Sequence, residues 1–89
     1  MLTSQSEIIQ RVRSFVQENF LHMHSNFELA DDDRLLEKGV DSMSVVEIIS
    51  FIEREFGVSA ATEDITEANF GSLAGIARFV SDRQSVAAA

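Results

Sequence analysis

Apolar residues recur at steps of three and four along much of this chain, and no proline interrupts them. Such steps place apolar side chains on one face of an α-helix, whereas the side chains of a strand alternate with a period of two. Proline is the strongest helix breaker, so its absence leaves the helical pattern unopposed. No stretch shows the alternation typical of a strand. We therefore predict an all-α fold.

Four helices are predicted, three long and one short, which together form a compact bundle. A capping-box pattern at Ser4 and Glu7 precedes the first helix, and Asp41 and Ser72 are predicted N-caps of the second and fourth. The predicted helices run from the capping box at Ser4 to about Asn19, from Ser42 to about Phe56, over a short segment beginning near Thr66, and over the segment after Ser72.

The connection between the first two helices, residues 20–40, is longer than the usual link between packed helices. Its apolar residues are spaced to hold it against the core, and residues 34–38 are predicted to form a short helical turn that ends at Gly39. The apolar residues predicted to anchor it are Phe27, Leu29, Leu35 and Leu36.

The composition bounds the size and the partners of the protein. A chain of 89 residues forms one domain, which we place at residues 1–84, with residues 85–89 as a frayed tail. A formal net charge of −8 disfavours nucleic acid and favours basic partners. Neither a signal peptide nor a long apolar run is visible, so we expect a cytoplasmic protein that does not enter a membrane, and a monomer.

Ser42 is the residue that could carry chemistry. It is predicted to lie at the start of the second helix, where unpaired N–H groups and the helix macrodipole favour a phosphate ester on its hydroxyl. An ordinary capping role for the Asp41–Ser42 pair explains the same two residues.

The second predicted helix has more apolar residues than one buried face needs. Met43, Val46, Glu47 and Arg54 fall along one side of it. An apolar residue flanked by polar groups is typical of a partner-binding surface. An extension of the core explains Met43 and Val46 equally well, and the sequence leaves both interpretations open.

Three segments together resemble the acyl and peptidyl carrier protein family over about residues 8–80. They are Gly39-Val40-Asp41-Ser42-Met43, then Val46-Glu47, then Phe56-Gly57-Val58. Met43 stands where the family usually has leucine, a volume-tolerant exchange. The long first loop and the short third helix are also similar to that family. The fold implied is a four-helix acyl-carrier-protein-like bundle.

The resemblance implies that a phosphopantetheinyl transferase attaches phosphopantetheine from coenzyme A to Ser42. The thiol of this arm then holds an acyl or aminoacyl group as a thioester, which fits a chain without cysteine. Asp41 would cap the helix and support the transferase-bound magnesium ion. An acyl- or aminoacyl-loading ligase and downstream biosynthetic enzymes would dock on Met43, Val46, Glu47, Glu53 and Arg54, with Arg54 departing from the acidic pattern of fatty-acid carriers.

Alternatives to a carrier are weaker, and no enzymatic activity is expected of the chain itself. Asp31–Asp33 lack the spacing of a calcium loop, and His22 and His24 lack a third ligand, so no metal site is predicted. The surroundings of Ser42 lack the strand and the glycines of a hydrolase elbow. The main rival is an unmodified helical protein–protein interaction module.

Overall fold

The computed structural model describes residues 3–19 and 29–88, so Phe27, His22 and His24 lie outside the described residues. The described residues contain helices and turns but no strand, which confirms the all-α prediction. The helices are α1 (Gln5–Asn19), α2 (Ser42–Phe56), α3 (Glu67–Phe70) and α4 (Leu73–Ala88), with 3₁₀ turns at Leu35–Lys38 and Thr62–Asp64.

One apolar core holds these helices together. α1 packs mainly on α4, and α2 closes the bundle against both. The fully buried residues of α1 are spaced four residues apart, as predicted. This spacing places them on one face, because an α-helix has about 3.6 residues per turn. The largest fully buried side chains are Ile8, Val12, Val16, Leu35, Val40, Ile48, Ile52, Leu73, Ile76 and Val80.

The predicted helix caps are present. Ser4 Oγ accepts a hydrogen bond from the Glu7 N–H at 3.2 Å, and Ser72 Oγ accepts one from the Gly75 N–H at 3.1 Å. Thr66 caps α3 in the same way. Short polar side chains therefore satisfy N–H groups that have no partner inside their helices.

The loop before α2 is tied to the turn between α3 and α4 and to the first turn of α4 by two backbone hydrogen bonds. The Leu35 N–H donates to the Gly71 carbonyl at 2.9 Å, and the Ala74 N–H donates to the Asp31 carbonyl at 2.8 Å. Leu29 and Leu35 are buried as predicted. The prediction for Leu36 is wrong: its side chain is 55% exposed, because neighbouring residues of a 3₁₀ turn point in different directions.

α4 extends through residues 85–88, where a frayed tail is predicted. Its last turns are held by Gln84, which is 5% exposed. The Gln84 Nε2 donates to Thr3 Oγ1 at 3.1 Å and to the Phe56 carbonyl at 3.2 Å, while its Oε1 accepts the Thr3 N–H at 2.7 Å. One amide side chain thus links the start of the described chain to the ends of α2 and α4.

α3 lies against α4 at a glycine. A Cβ atom added to Gly75 would be 2.6 Å from the Ala68 carbonyl oxygen and 3.4 Å from that of Asn69. Real Cβ atoms do not approach backbone oxygens at 2.6 Å. Gly75 therefore permits the close packing of α3 on α4.

Candidate functional site

Ser42 is the first residue of α2 and its side chain is exposed. Asp41 precedes it with extended backbone angles, and its Oδ1 accepts the Ser44 N–H at 2.8 Å. The Asp41 carbonyl also accepts the Val45 N–H at 3.1 Å. The Ser42 hydroxyl makes no hydrogen bond to the described residues, so the predicted cap is confirmed for Asp41 and the hydroxyl stays available.

The carboxylate of Asp41 is kept ionised by its capping bonds. The hydrogen bond from the Ser44 backbone N–H, followed by that from the Ser44 side chain, lowers the pKa of Asp41 below its ordinary value of 3.8. A hydrogen bond to the charged form of an acid stabilises that form. Asp41 therefore caps α2 as an anion at neutral pH.

Two residues orient the chain that enters α2. Gly39 has φ 97°, a left-handed conformation in which side chains of L-amino acids are strained. The Val40 N–H then donates to the Leu35 carbonyl at 3.1 Å, and the Val40 side chain is 1% exposed. The turn at Gly39 and the buried Val40 together hold Asp41 and Ser42 at the surface.

An open cleft of about 330 Å³ adjoins Ser42 between the 3₁₀ turn before α2, α2 itself and α3. Sequence periodicity does not locate this cleft, because Leu36 and Ile65 in its wall lie outside the periodic helices. The cleft is lined by the apolar side chains Leu36, Val45, Val46, Ile65 and Phe70, together with Ser42, Thr66, Glu67 and Gly71.

The open question about Met43 and Val46 is answered by their exposure. Met43 is 74% exposed and Val46 is 54% exposed, so neither extends the core. Glu47 and Arg54 are also exposed. The structure therefore presents a mixed apolar and charged strip along one side of α2.

Glu53 differs from Glu47 in its surroundings. It is partly buried, and its Oε2 accepts the Ala60 N–H at 3.0 Å, which ties the segment after α2 to the helix. From the sequence, Glu53 is predicted only as a partner-docking residue. This structural bond could not be found from spacing, because Ala60 belongs to an irregular segment.

Residues 3–19 and 29–88 contain neither a candidate metal site nor a candidate membrane-spanning helix. These residues contain no group of three or more histidine, cysteine, aspartate or glutamate side chains placed to hold a metal ion. Within the same ranges, no helix is long and apolar enough to cross a membrane.

The residues around Ser42 fit a phosphopantetheine group. Its phosphate requires an unengaged hydroxyl, and a helix N-terminus provides favourable charge for the ester. The apolar walls of the neighbouring cleft offer a surface for an attached chain. An exposed serine at a capped helix start, on a small all-α bundle, fits the class of carrier proteins.

Comparison with known proteins agrees with this class. Residues 10–80 match the family described as "Phosphopantetheine attachment site", and the chain belongs to that family. Members hold an acyl or aminoacyl group on covalently attached phosphopantetheine and present it to partner enzymes.

The chain is also similar to two individual proteins. The chain is 29% identical over 76 residues to Aminoacyl carrier protein 2 of Bradyrhizobium diazoefficiens, covering 85% of this chain and 81% of that protein. It also resembles a solved structure described as Bradyrhizobium japonicum glycine:[carrier protein] ligase complexed with glycylated carrier protein. That similarity has a TM-score of 0.65 and 26% identity, and covers 83% of this chain and 95% of the other.

Proposed function

We propose that Ser42 is the attachment point of phosphopantetheine and that the natural cargo is an aminoacyl group. The observation that carries the attachment site is the exposed, unengaged Ser42 hydroxyl at the start of α2, inside the matched residues 10–80. The similarity to an aminoacyl carrier protein, and to a glycylated one, supports the cargo.

The chain's own residues bind and orient rather than react. Asp41 fixes the start of α2, Gly39 turns the chain outward, and the cleft beside Ser42 offers apolar surface. The attached group supplies the thiol that forms the thioester, a group that a chain without cysteine does not have. The protein therefore presents cargo and is not itself an enzyme.

Two kinds of partner follow. A phosphopantetheinyl transferase first attaches phosphopantetheine to Ser42. Asp41 helps to hold the magnesium ion of the transferase when that enzyme docks. An amino-acid ligase then loads the thiol, and downstream enzymes take the cargo. The monomeric state and the cytoplasmic location remain predictions.

The docking surface is proposed on the exposed side of α2. Met43 and Val46 offer apolar area next to the site, and Glu47 offers negative charge. Arg54 extends the surface toward the end of the helix. Glu53 keeps its place at the edge of this surface, with a carboxylate already bonded to the Ala60 N–H.

The attachment site is tested by intact mass. Purified protein is incubated with coenzyme A and a promiscuous phosphopantetheinyl transferase, and we expect a mass gain of one phosphopantetheine. Ser42→Ala should abolish the gain, whereas Ser50→Ala, an exposed serine on the same helix, should retain it. A wild-type chain that stays unmodified would instead favour an unmodified interaction module.

The cargo is tested on protein isolated from its native cell. Mass spectrometry of the intact thioester distinguishes an aminoacyl group from a fatty acyl or polyketide group. A long acyl chain there would refute the aminoacyl assignment while leaving the attachment at Ser42 intact.

A further inference from the structure

The cleft beside Ser42 is bordered on its inner side by Phe70. The other side chains that line it are exposed, except that of Val45, which is half-buried on α2. Phe70 lines the same cleft, yet it is only 3% exposed and belongs to the apolar core. A side chain that both lines a surface cleft and is buried lies at the boundary between the cleft and the core.

The backbone of Phe70 is fixed on both sides. The Phe70 N–H donates a hydrogen bond to the Thr66 carbonyl at 2.9 Å. The carbonyl of the next residue, Gly71, accepts the Leu35 N–H at 2.9 Å, which ties the end of α3 to the loop before α2. Phe70 therefore cannot move away from the cleft without the loss of these backbone hydrogen bonds.

The ring of Phe70 is supported by a second aromatic ring on α4. The ring centroids of Phe70 and Phe79 are 5.0 Å apart, which is typical of a favourable aromatic pair. Phe79 is itself buried, and the Arg83 guanidinium lies 5.0 Å from the centroid of its ring. Arg83 is held in turn by Asp64, with 2.6 Å between Nη2 and Oδ1. Rotation of the Phe70 ring toward α4 would therefore disturb a connected set of contacts.

The core beyond this boundary is filled by side chains. Ile48, Leu73 and Ile76 belong to the same apolar cluster as Phe70 and are fully buried. Protein interiors are packed as closely as organic crystals, so an additional chain needs space that a side chain must vacate. A chain attached at Ser42 that enters the core from this cleft must displace the ring of Phe70.

We propose that Phe70 closes the cleft beside Ser42, so that a long acyl chain carried by the protein cannot enter the core. This inference rests on the proposed function and adds a limit on the cargo. Aminoacyl and short acyl groups have no long apolar chain to bury, and they lose nothing at a closed cleft. A long acyl chain would stay in contact with water, and its apolar surface would not stabilise the fold. Phe70 is thus the residue that determines which length of cargo the protein can shelter.

The experiment compares two lengths of cargo on the same full-length protein. A promiscuous phosphopantetheinyl transferase is supplied with acetyl-coenzyme A or octanoyl-coenzyme A, and intact mass confirms each acylated product. The Tm of both forms is then measured for wild type, Phe70→Ala, Phe70→Leu and Phe51→Leu. The difference between two forms of one variant excludes the stability that the substitution itself removes.

Phe51→Leu is the matched control. Phe51 is a half-buried phenylalanine of α2 that stacks on Phe15, with 4.3 Å between ring centroids. It lines a groove between α1 and α2 and does not line the cleft beside Ser42. The same exchange therefore removes aromatic packing without opening that cleft.

We expect the acetyl and octanoyl forms of wild type to have the same Tm, and likewise those of Phe51→Leu. In Phe70→Ala the octanoyl form should melt about 4 °C or more above the acetyl form, because the chain occupies the space left by the ring. Phe70→Leu should show a smaller difference of the same sign, and it serves as the test where Phe70→Ala does not fold.

Two results would overturn the proposal. A wild-type protein that melts higher with octanoyl than with acetyl would show that a long chain passes Phe70. Folded Phe70 variants whose two forms have the same Tm would show that Phe70 is not what excludes the chain. Failure of the wild type to gain mass from either donor would refute the proposed function instead.

Discussion

The close packing of α3 on α4 predicts that Gly75→Ala destabilises the protein, although alanine is the better helix former. The new Cβ atom would lie 2.6 Å from the Ala68 carbonyl oxygen, against 3.4 Å for the start of ordinary contact. The backbone of α3 must therefore retreat by about 0.8 Å, since a carbonyl has no rotamer to change. Movement of α3 also alters the wall of the cleft beside Ser42.

Two opposing effects decide the size of the change. Alanine in place of glycine in a helix stabilises by about 1 kcal/mol. Overpacking a close contact costs about 1–3 kcal/mol, and a clash with backbone belongs in the middle of that range or above. The clash wins, and we expect Gly75→Ala to lower the free energy of unfolding by about 1 kcal/mol. For a domain of this size the Tm falls by about 4–8 °C.

Urea unfolding followed by circular dichroism measures the change directly. With a slope of about 1 kcal/mol/M, the midpoint should fall by about 1 M. Hydrogen exchange should show faster exchange of the α3 amides of Asn69 and Phe70. A variant that is more stable than wild type would refute the reasoning. It would show that the higher helix propensity of alanine is not offset by a clash with the Ala68 carbonyl.

Gly57→Ala provides a matched control. Gly57 ends α2 with φ 70°, and a Cβ atom there meets nothing within 4 Å. Its cost arises from the left-handed backbone alone, about 1 kcal/mol. Exchange in α3 should remain at the wild-type rate in this variant, so the pair separates backbone strain from displacement of α3.

Two further predictions concern polar contacts. The lowered pKa of Asp41 means that its cap stabilises α2 fully above pH 3.8, and that this stability is lost as the pH falls through the lower pKa of the folded state. Comparison with the non-titrating Asp41→Asn in urea unfolding should show the difference shrinking only in that acid range, and a pH-independent difference would contradict the assignment. Gln84→Leu should lower the free energy of unfolding by about 1–3 kcal/mol, because the Phe56 carbonyl loses its donor from Gln84. A loss below about 0.5 kcal/mol would show that water replaces the amide.

The long helices and their caps could be predicted because their signals are local. The steps of Ile8, Val12 and Val16 place one buried face, and Asp41 lies where an N-cap belongs. The proposal of Ser42 as the attachment serine follows from the same local pattern combined with the family resemblance. These features depend on neighbours within one or two turns of the chain.

Features that depend on distant neighbours were missed or left open. Leu36 has a large apolar side chain of the kind usually found in a core. The 3₁₀ turn nevertheless directs this side chain toward the cleft near Ser42. The exposure of Met43 and Val46 depends on which face of α2 packs against α1 and α4. That face is determined by tertiary packing and not by the local sequence. Gln84 gives no sequence signal at all, because a buried amide is recognised only from the groups it joins.

The hydrogen bonds of Gln84 also indicate where the protein can be attached to a tag or a solid support. Thr3 and Gln84 meet at the Phe56 end of α2, about 21 Å from Ser42 at 1.5 Å per residue. A handle attached next to Thr3 would therefore lie at the opposite end of α2 from Ser42, the proposed attachment point. Immobilisation through that end of the bundle would leave the surroundings of Ser42 accessible to the transferase and the other proposed partners.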